Sequence, residues 1–72
     1  MFTTFDVMKL LDVKRERLRE WMTQGFVNPT TPADGPGTKA IFSLTDLYKI
    51  AVFKKLVEAG MNRRKAFVWL ES

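Results

Sequence analysis

The chain has 72 residues, 46% of them hydrophobic and 28% charged, which is room for one small globular domain and excludes a disordered polyelectrolyte. Twelve Lys and Arg against eight Asp and Glu give a net charge of +4; such a surface attracts polyanions, nucleic acid being the commonest, although a merely solvated charged surface has the same balance. There is no Cys, so no disulfide or thiolate metal site supplements the core, as expected in a reducing cytoplasm. Thr3 with Asp6 makes a capping box for a first helix, whose Val7, Leu10 and Leu11 recur at helical spacing. Asp12 ends that helix, being among the few residues that tolerate a left-handed backbone, and Val13 follows as an apolar plug. A second helix starts near Lys14 or Arg15, with Leu18, Trp21 and Met22 at i, i+3, i+4. Two short helices so joined form a helix-turn-helix over about residues 4–24.

Gly25 is placed as the C-cap of the second helix, and Pro29 prevents its resumption. Pro29, Pro32, Gly35, Pro36 and Gly37 keep the following stretch out of helix. Phe26-Val27 before it and Ala40-Ile41-Phe42 after it are β-prone, and predict two short strands flanking a loop, a wing over about residues 26–42. Ser43 with Asp46 is a second capping box, opening a long helix from about Leu44 to Glu58 that is apolar over much of its circumference. Gly60 closes it, and Asn62 can cap a final helix to Leu70 with Ala66, Trp69 and Leu70 as its inward stripe. The fold class predicted for residues 1–72 is therefore mainly α: one four-helix winged helix-turn-helix domain with a short two-stranded wing, its later helices over about 44–59 and 62–70.

Enzymatic chemistry has little to work with. The absence of His and Cys removes the commonest general base and the thiol nucleophile. Asp6 and Asp46 read as caps, Asp12 as a turn residue and Glu16 as a favourable first-turn acid. No nucleophile has an adjacent base and no acids cluster, so neither a catalytic role nor a metal or cofactor is expected. No apolar run approaches the roughly 18–20 residues of a membrane span, and the N-terminal residues lack the basic segment and apolar run of a signal peptide.

The basic residues are more informative. Lys14, Arg15, Arg17 and Arg19 crowd the first half of the second helix, the part of a helix-turn-helix that meets base edges in the major groove. Arg15 and Arg19 are four apart and share a face away from Leu18, Trp21 and Met22. The alternative is a solvated charged face, with Glu16 and Glu20 answering Arg15 and Arg19. Thr38 and Lys39, after Gly35-Pro36-Gly37, offer a hydroxyl, backbone N–H groups and a cation suited to phosphate; a plain connection is the competing reading. Arg63, Arg64 and Lys65 oppose the macrodipole at the start of the last helix, which points to a phosphate backbone or an acidic partner. Phe67 and Val68 fall off the Ala66-Trp69-Leu70 stripe and are either an exposed contact surface or part of a wider buried face.

The order and spacing of these segments resemble the DNA-binding domain of the MerR family of bacterial transcription regulators. Phe2-Thr3-Thr4 through Leu10-Leu11-Asp12-Val13 looks like that family's first helix and turn. Leu18-Arg19-Glu20-Trp21 is similar to its Leu-Arg-aromatic-aromatic signature, and Gly25-Phe26-Val27-Asn28-Pro29 to its Gly-Leu-x-x-Pro. Ile41-Phe42-Ser43 with Asp46-Leu47, and Leu56 through Gly60, resemble its post-wing strand and the two ends of its third helix. The chain departs from the pattern at Asp12, where the family has a small residue, at Lys14, where it has an N-capping Ser, and at Glu20, where a second aromatic is common. The wing arginine aligns with Ala40, so that Lys39 either replaces it or the contact is lost.

The resemblance implies sequence-specific binding of double-stranded DNA at pseudo-palindromic promoters as a homodimer, with distortion of the duplex. Family contacts would fall on Arg15 and Arg19, on Trp21 near a phosphate, and on Lys54 of the third helix. It also implies a dimerising coiled coil and effector domain after the fourth helix, so the domain alone is expected to be monomeric, cytoplasmic and nucleoid-associated, with no membrane partner. Two other readings remain open: an excisionase-like DNA-architectural factor, and a protein-interaction module on the same fold.

Overall fold

A computed structural model describes residues 1–71, in the order β1 (Phe2–Thr3), α1 (Thr4–Leu11), α2 (Arg15–Thr23), β2 (Ile41–Phe42), α3 (Leu44–Glu58) and α4 (Arg63–Glu71). Local chemistry sets most of these boundaries. Thr3 Oγ1 accepts from the Asp6 N–H at 3.3 Å while Asp6 Oδ2 accepts from the Thr3 N–H at 2.9 Å, so two N–H groups that a helix start leaves orphaned are satisfied reciprocally. Ser43 and Asp46 repeat the arrangement at α3, at 3.0 and 3.1 Å. Asn62 Oδ1 accepts from the Lys65 N–H at 2.8 Å and starts α4.

The turn between α1 and α2 depends on Asp12, the non-glycine residue with positive φ (54°) among those described. Its N–H and that of Val13 both return to the Met8 carbonyl, and Val13 is thereby driven into the core at 4% exposure. Lys14 occupies the N-cap of α2 but its side chain makes no capping bond. The start of α2 is therefore held by tertiary packing of Leu18 and Trp21 rather than by its cap.

The wing differs from its sequence expectation. Phe26 and Val27 are not a strand. Their N–H groups both donate to the Trp21 carbonyl, at 2.9 and 3.3 Å, around Gly25 at φ +84°, so they finish the C-terminal turn of α2. Ile41–Phe42 is a strand, as expected, but its partner is the N-terminus: Phe2 lies opposite Phe42 and Thr3 opposite Ile41, antiparallel. On the other side Ile41 exchanges two backbone hydrogen bonds with Thr31, at 2.8 and 3.0 Å. The loop 31–40 is thus pinned at its base, and its tip is shaped by Thr38. The Thr38 hydroxyl accepts from the Asp34 and Gly35 N–H groups and donates to the Gly35 carbonyl.

The core contains Val7, Val13, Leu18, Trp21, Val27, Phe42, Leu47, Ile50, Phe53 and Ala66. Trp21 of α2 meets Phe53 of α3 edge to face, with ring centroids 4.9 Å apart. Phe26 stacks on Phe53 and reaches Phe67 of α4, at 5.7 Å in each case. Two of the expected inward stripes are rotated. On α1, Leu10 is 60% exposed and Met8 packs inward beside Val7 and Leu11. On α4, Trp69 is exposed and Phe67 takes its place beside Ala66 and Leu70, while Val68 is exposed. The cause is lateral: Phe26 lies on the Phe67 side of α4, so the helix turns that edge toward the core.

Candidate nucleic-acid interface

All four cations at the start of α2 are exposed, but helical geometry sends them to two different sides. Arg15 and Arg19 share one side and line a groove of about 620 Å³ between α2, the N-terminal turn of α1 and the wing loop. Thr38 and Lys39 line its opposite wall, so four residues singled out from the sequence converge there. No acidic side chain lines this groove. Arg15, Arg19 and Lys39 form no ion pair with any other described residue, which rules out Glu16 and Glu20 as their partners.

Lys14 and Arg17 lie on the other side of α2. They line a shallow depression of about 290 Å³ with Asp12, Lys54 and Glu58, and another of about 400 Å³ with Glu16, Glu20 and Arg63. Positive and negative groups are mixed here. Lys54 Nζ donates to the Leu11 carbonyl at 2.9 Å and lies 3.9 Å from Glu58. Its side chain is only 23% exposed, so it closes the C-terminal end of α1, where the macrodipole favours a cation. Arg63 pairs with Glu20 and also reaches Gln24 Oε1 at 3.4 Å. The cation opposing its own helix dipole is therefore answered within the chain, and Glu20 is neutralised in turn.

Two further residues are placed differently from a simple phosphate contact. Trp21 is 1% exposed, so its indole acts through the core that positions α2 and has almost no surface to present to a ligand. The Thr38 hydroxyl is consumed within its own loop, as described above, and its N–H donates to the Gly35 carbonyl at 3.2 Å. Thr38 thus shapes the loop that carries Lys39. Sequence reasoning missed Phe5, which is 65% exposed and lines the groove with Met8 and Met22. Its signal was available: Phe5 falls off every apolar stripe of α1 and follows the capping residue by two.

Asp46 supports the same wing from behind. Burial acts to raise its carboxyl, but hydrogen bonds from the Ser43 backbone, the Thr30 and Ser43 hydroxyls and the Thr30 backbone outweigh that and hold it below the ordinary carboxylate range. Thr30 donates to Asp46 Oδ2, the oxygen that also caps Ser43, so one carboxylate ties the base of the loop to the start of α3. Among the described residues no group of three or more His, Cys, Asp or Glu could hold a metal ion, and no helix is long and apolar enough to cross a membrane.

Four helices, an α2 whose basic start lies across a groove from a loop, and a two-stranded antiparallel sheet define a winged helix-turn-helix. The model of the MerR HTH family of regulatory proteins matches residues 2–71, and the chain belongs to that family. No curated protein matches the chain.

Proposed function

We propose that this domain binds duplex DNA in a sequence-specific manner and serves transcription regulation, as the DNA-binding part of a MerR-type regulator. The observation that carries the reading is the acid-free groove in which Arg15 and Arg19 face Lys39 across a concave surface. Unneutralised guanidinium groups at the start of an exposed helix suit the O6 and N7 acceptors of guanine, which they can engage in bidentate fashion. Lys39, on a loop whose shape Thr38 fixes, is suited to an adjacent phosphate. Lys14 and Arg17 would meet phosphates on the flank of α2. Lys54 and Trp21 belong to the interface indirectly, by fixing how α2 leaves α1 and how it sits on α3. The domain works in the cytoplasm at the nucleoid and acts on DNA as a homodimer when joined to a dimerising element; two recognition helices must then lie about 34–36 Å apart to enter successive major grooves on one face of the duplex.

The test is a titration of promoter-derived and random duplexes at several salt concentrations. Neutralisation of about four phosphates predicts a slope of log affinity against log salt near −3.6. Absence of duplex binding at low salt would overturn the reading. One observation favours a different function: Leu44 and Tyr48 on α3 are each 73% exposed, and Val68 on α4 58%. That surface would suit a protein-interaction module, which binds a partner protein better than DNA. An excisionase-like architectural factor would instead bend its duplex, which circular-permutation mobility reads directly.

A further inference from the structure

We propose that the groove between α2 and the wing is also the binding site of a small amphipathic anion, a carboxylate on an apolar body, which competes with DNA. The inference rests on the DNA-binding reading only for its consequence, because the ligand would occupy Arg15 and Arg19. The floor of the groove is apolar and comes from three separate parts of the fold: Phe5 and Met8 of α1, Met22 of α2, and Ala33 with Ala40 of the loop. Its rim carries Arg15, Arg19 and Lys39 and no acid. A phosphodiester backbone would engage that rim and leave the floor largely unused. An exposed phenylalanine beside two thioethers is instead surface that gains from covering with hydrocarbon, and methionine side chains adapt to irregular apolar shapes.

Size and charge both fit. A groove of about 620 Å³ lies within the roughly 300–1,000 Å³ typical of small-molecule sites. The three cations lack ion-pair partners among the described residues, so a carboxylate gains their attraction without displacing an acid, and guanidinium geometry favours its two oxygens. A cationic or neutral ligand of equal apolar bulk gains only the floor. The other exposed apolar side chains, Leu44, Tyr48 and Val68, line no groove with an acid-free cationic rim.

Decanoate, below its micellar concentration, is the probe. Amide NMR of the whole chain without DNA is expected to show saturable shifts centred on Phe5, Met8, Arg19 and Met22, and decyltrimethylammonium is expected to leave them unmoved. Arg19→Gln and Phe5→Ser should each weaken decanoate at least fivefold while the helical circular dichroism stays unchanged, because both side chains are exposed. With decanoate at ten times its dissociation constant, the apparent Kd for a duplex should rise about tenfold by mass action. Shifts centred on Leu44, Tyr48 or Val68, equal response to the cationic surfactant, or simultaneous binding of decanoate and DNA would each overturn the proposal. Binding to anionic phospholipid vesicles without binding to monomeric decanoate would do the same, assigning the groove to a membrane surface. Duplex binding without decanoate binding overturns this inference and leaves the DNA reading intact; decanoate binding without duplex binding does the reverse.

Discussion

The two sides of α2 carry similar numbers of cations and use them differently. On the wing side, Arg15, Arg19 and Lys39 surround a groove and have no acidic neighbour. On the α3–α4 side, Lys54 holds the Leu11 carbonyl beside Glu58, and Arg63 holds Glu20. The first set leaves its field unspent and available to a polyanion; the second staples helices together. Net charge therefore says less about function than where the uncompensated charge sits, since a paired cation contributes little field beyond its partner.

The largest effect expected comes from the residue common to both sides. Trp21→Ala should destabilise the domain by about 3–5 kcal/mol, as large aromatic truncations in cores do, enough to unfold most of a small domain. Trp21→Phe should keep the fold, and its duplex affinity should stay within about twofold, the indole being buried (an inconsequential change on the kcal scale of a tenfold per 1.4). Urea melts and duplex titrations of both variants check this; a folded Trp21→Phe that loses DNA would make the indole a direct contact.

Next, Arg15→Ala should cost about 1–3 kcal/mol on a selected duplex, less on random DNA, with the melt unchanged. Lys54→Ala should do the opposite. Loss of a charge-assisted bond to a helix-terminal carbonyl is expected to lower stability by about 1–2 kcal/mol, with the salt slope for the folded protein unaltered. A slope shallower by about one unit would instead show that Lys54 neutralises a phosphate. Should the two variants behave alike in both assays, the division between the sides of α2 fails.

Smaller effects sharpen the same contrast. Glu20→Ala and Arg63→Ala, combined in a double-mutant cycle, should give a coupling of about 0.2–1 kcal/mol, because both side chains are roughly half exposed. Asp46 supplies a pH test. Its folded carboxyl titrates below the ordinary carboxylate value, so its contribution is present above the unfolded pKa and is lost as pH falls through the lowered folded one. The stability difference between the wild type and Asp46→Asn should accordingly be constant near neutrality and shrink below about pH 4. A difference that persists unchanged into strong acid would remove the carboxylate from the base of the wing.

Helix boundaries were legible in the sequence because capping is local chemistry. Thr3 with Asp6, Ser43 with Asp46, Asn62, and Asp12 in its left-handed turn each act within three or four residues. The α2 stripe of Leu18, Trp21 and Met22 and the basic start of that helix were equally readable, as was the convergence of Arg15 and Arg19 on one side. Tertiary structure decided the rest. A residue i and its neighbour i+4 define an inward helix face, but i+1 and i+3 flank it symmetrically. Whether Met8 or Leu10, and Phe67 or Trp69, completes the face depends on which side the neighbouring element occupies. Strand pairing has the same character: Ile41 and Phe42 are β-prone by themselves, yet their partners Phe2 and Thr3 lie about forty residues away along the chain, and the nearer Phe26 and Val27 are already committed to the Trp21 carbonyl. Electrostatic pairing is likewise nonlocal. Glu20 and Arg63 are adjacent only because α4 folds back across α2, so the sequence fixes which charges exist while the fold alone decides which of them remain unanswered.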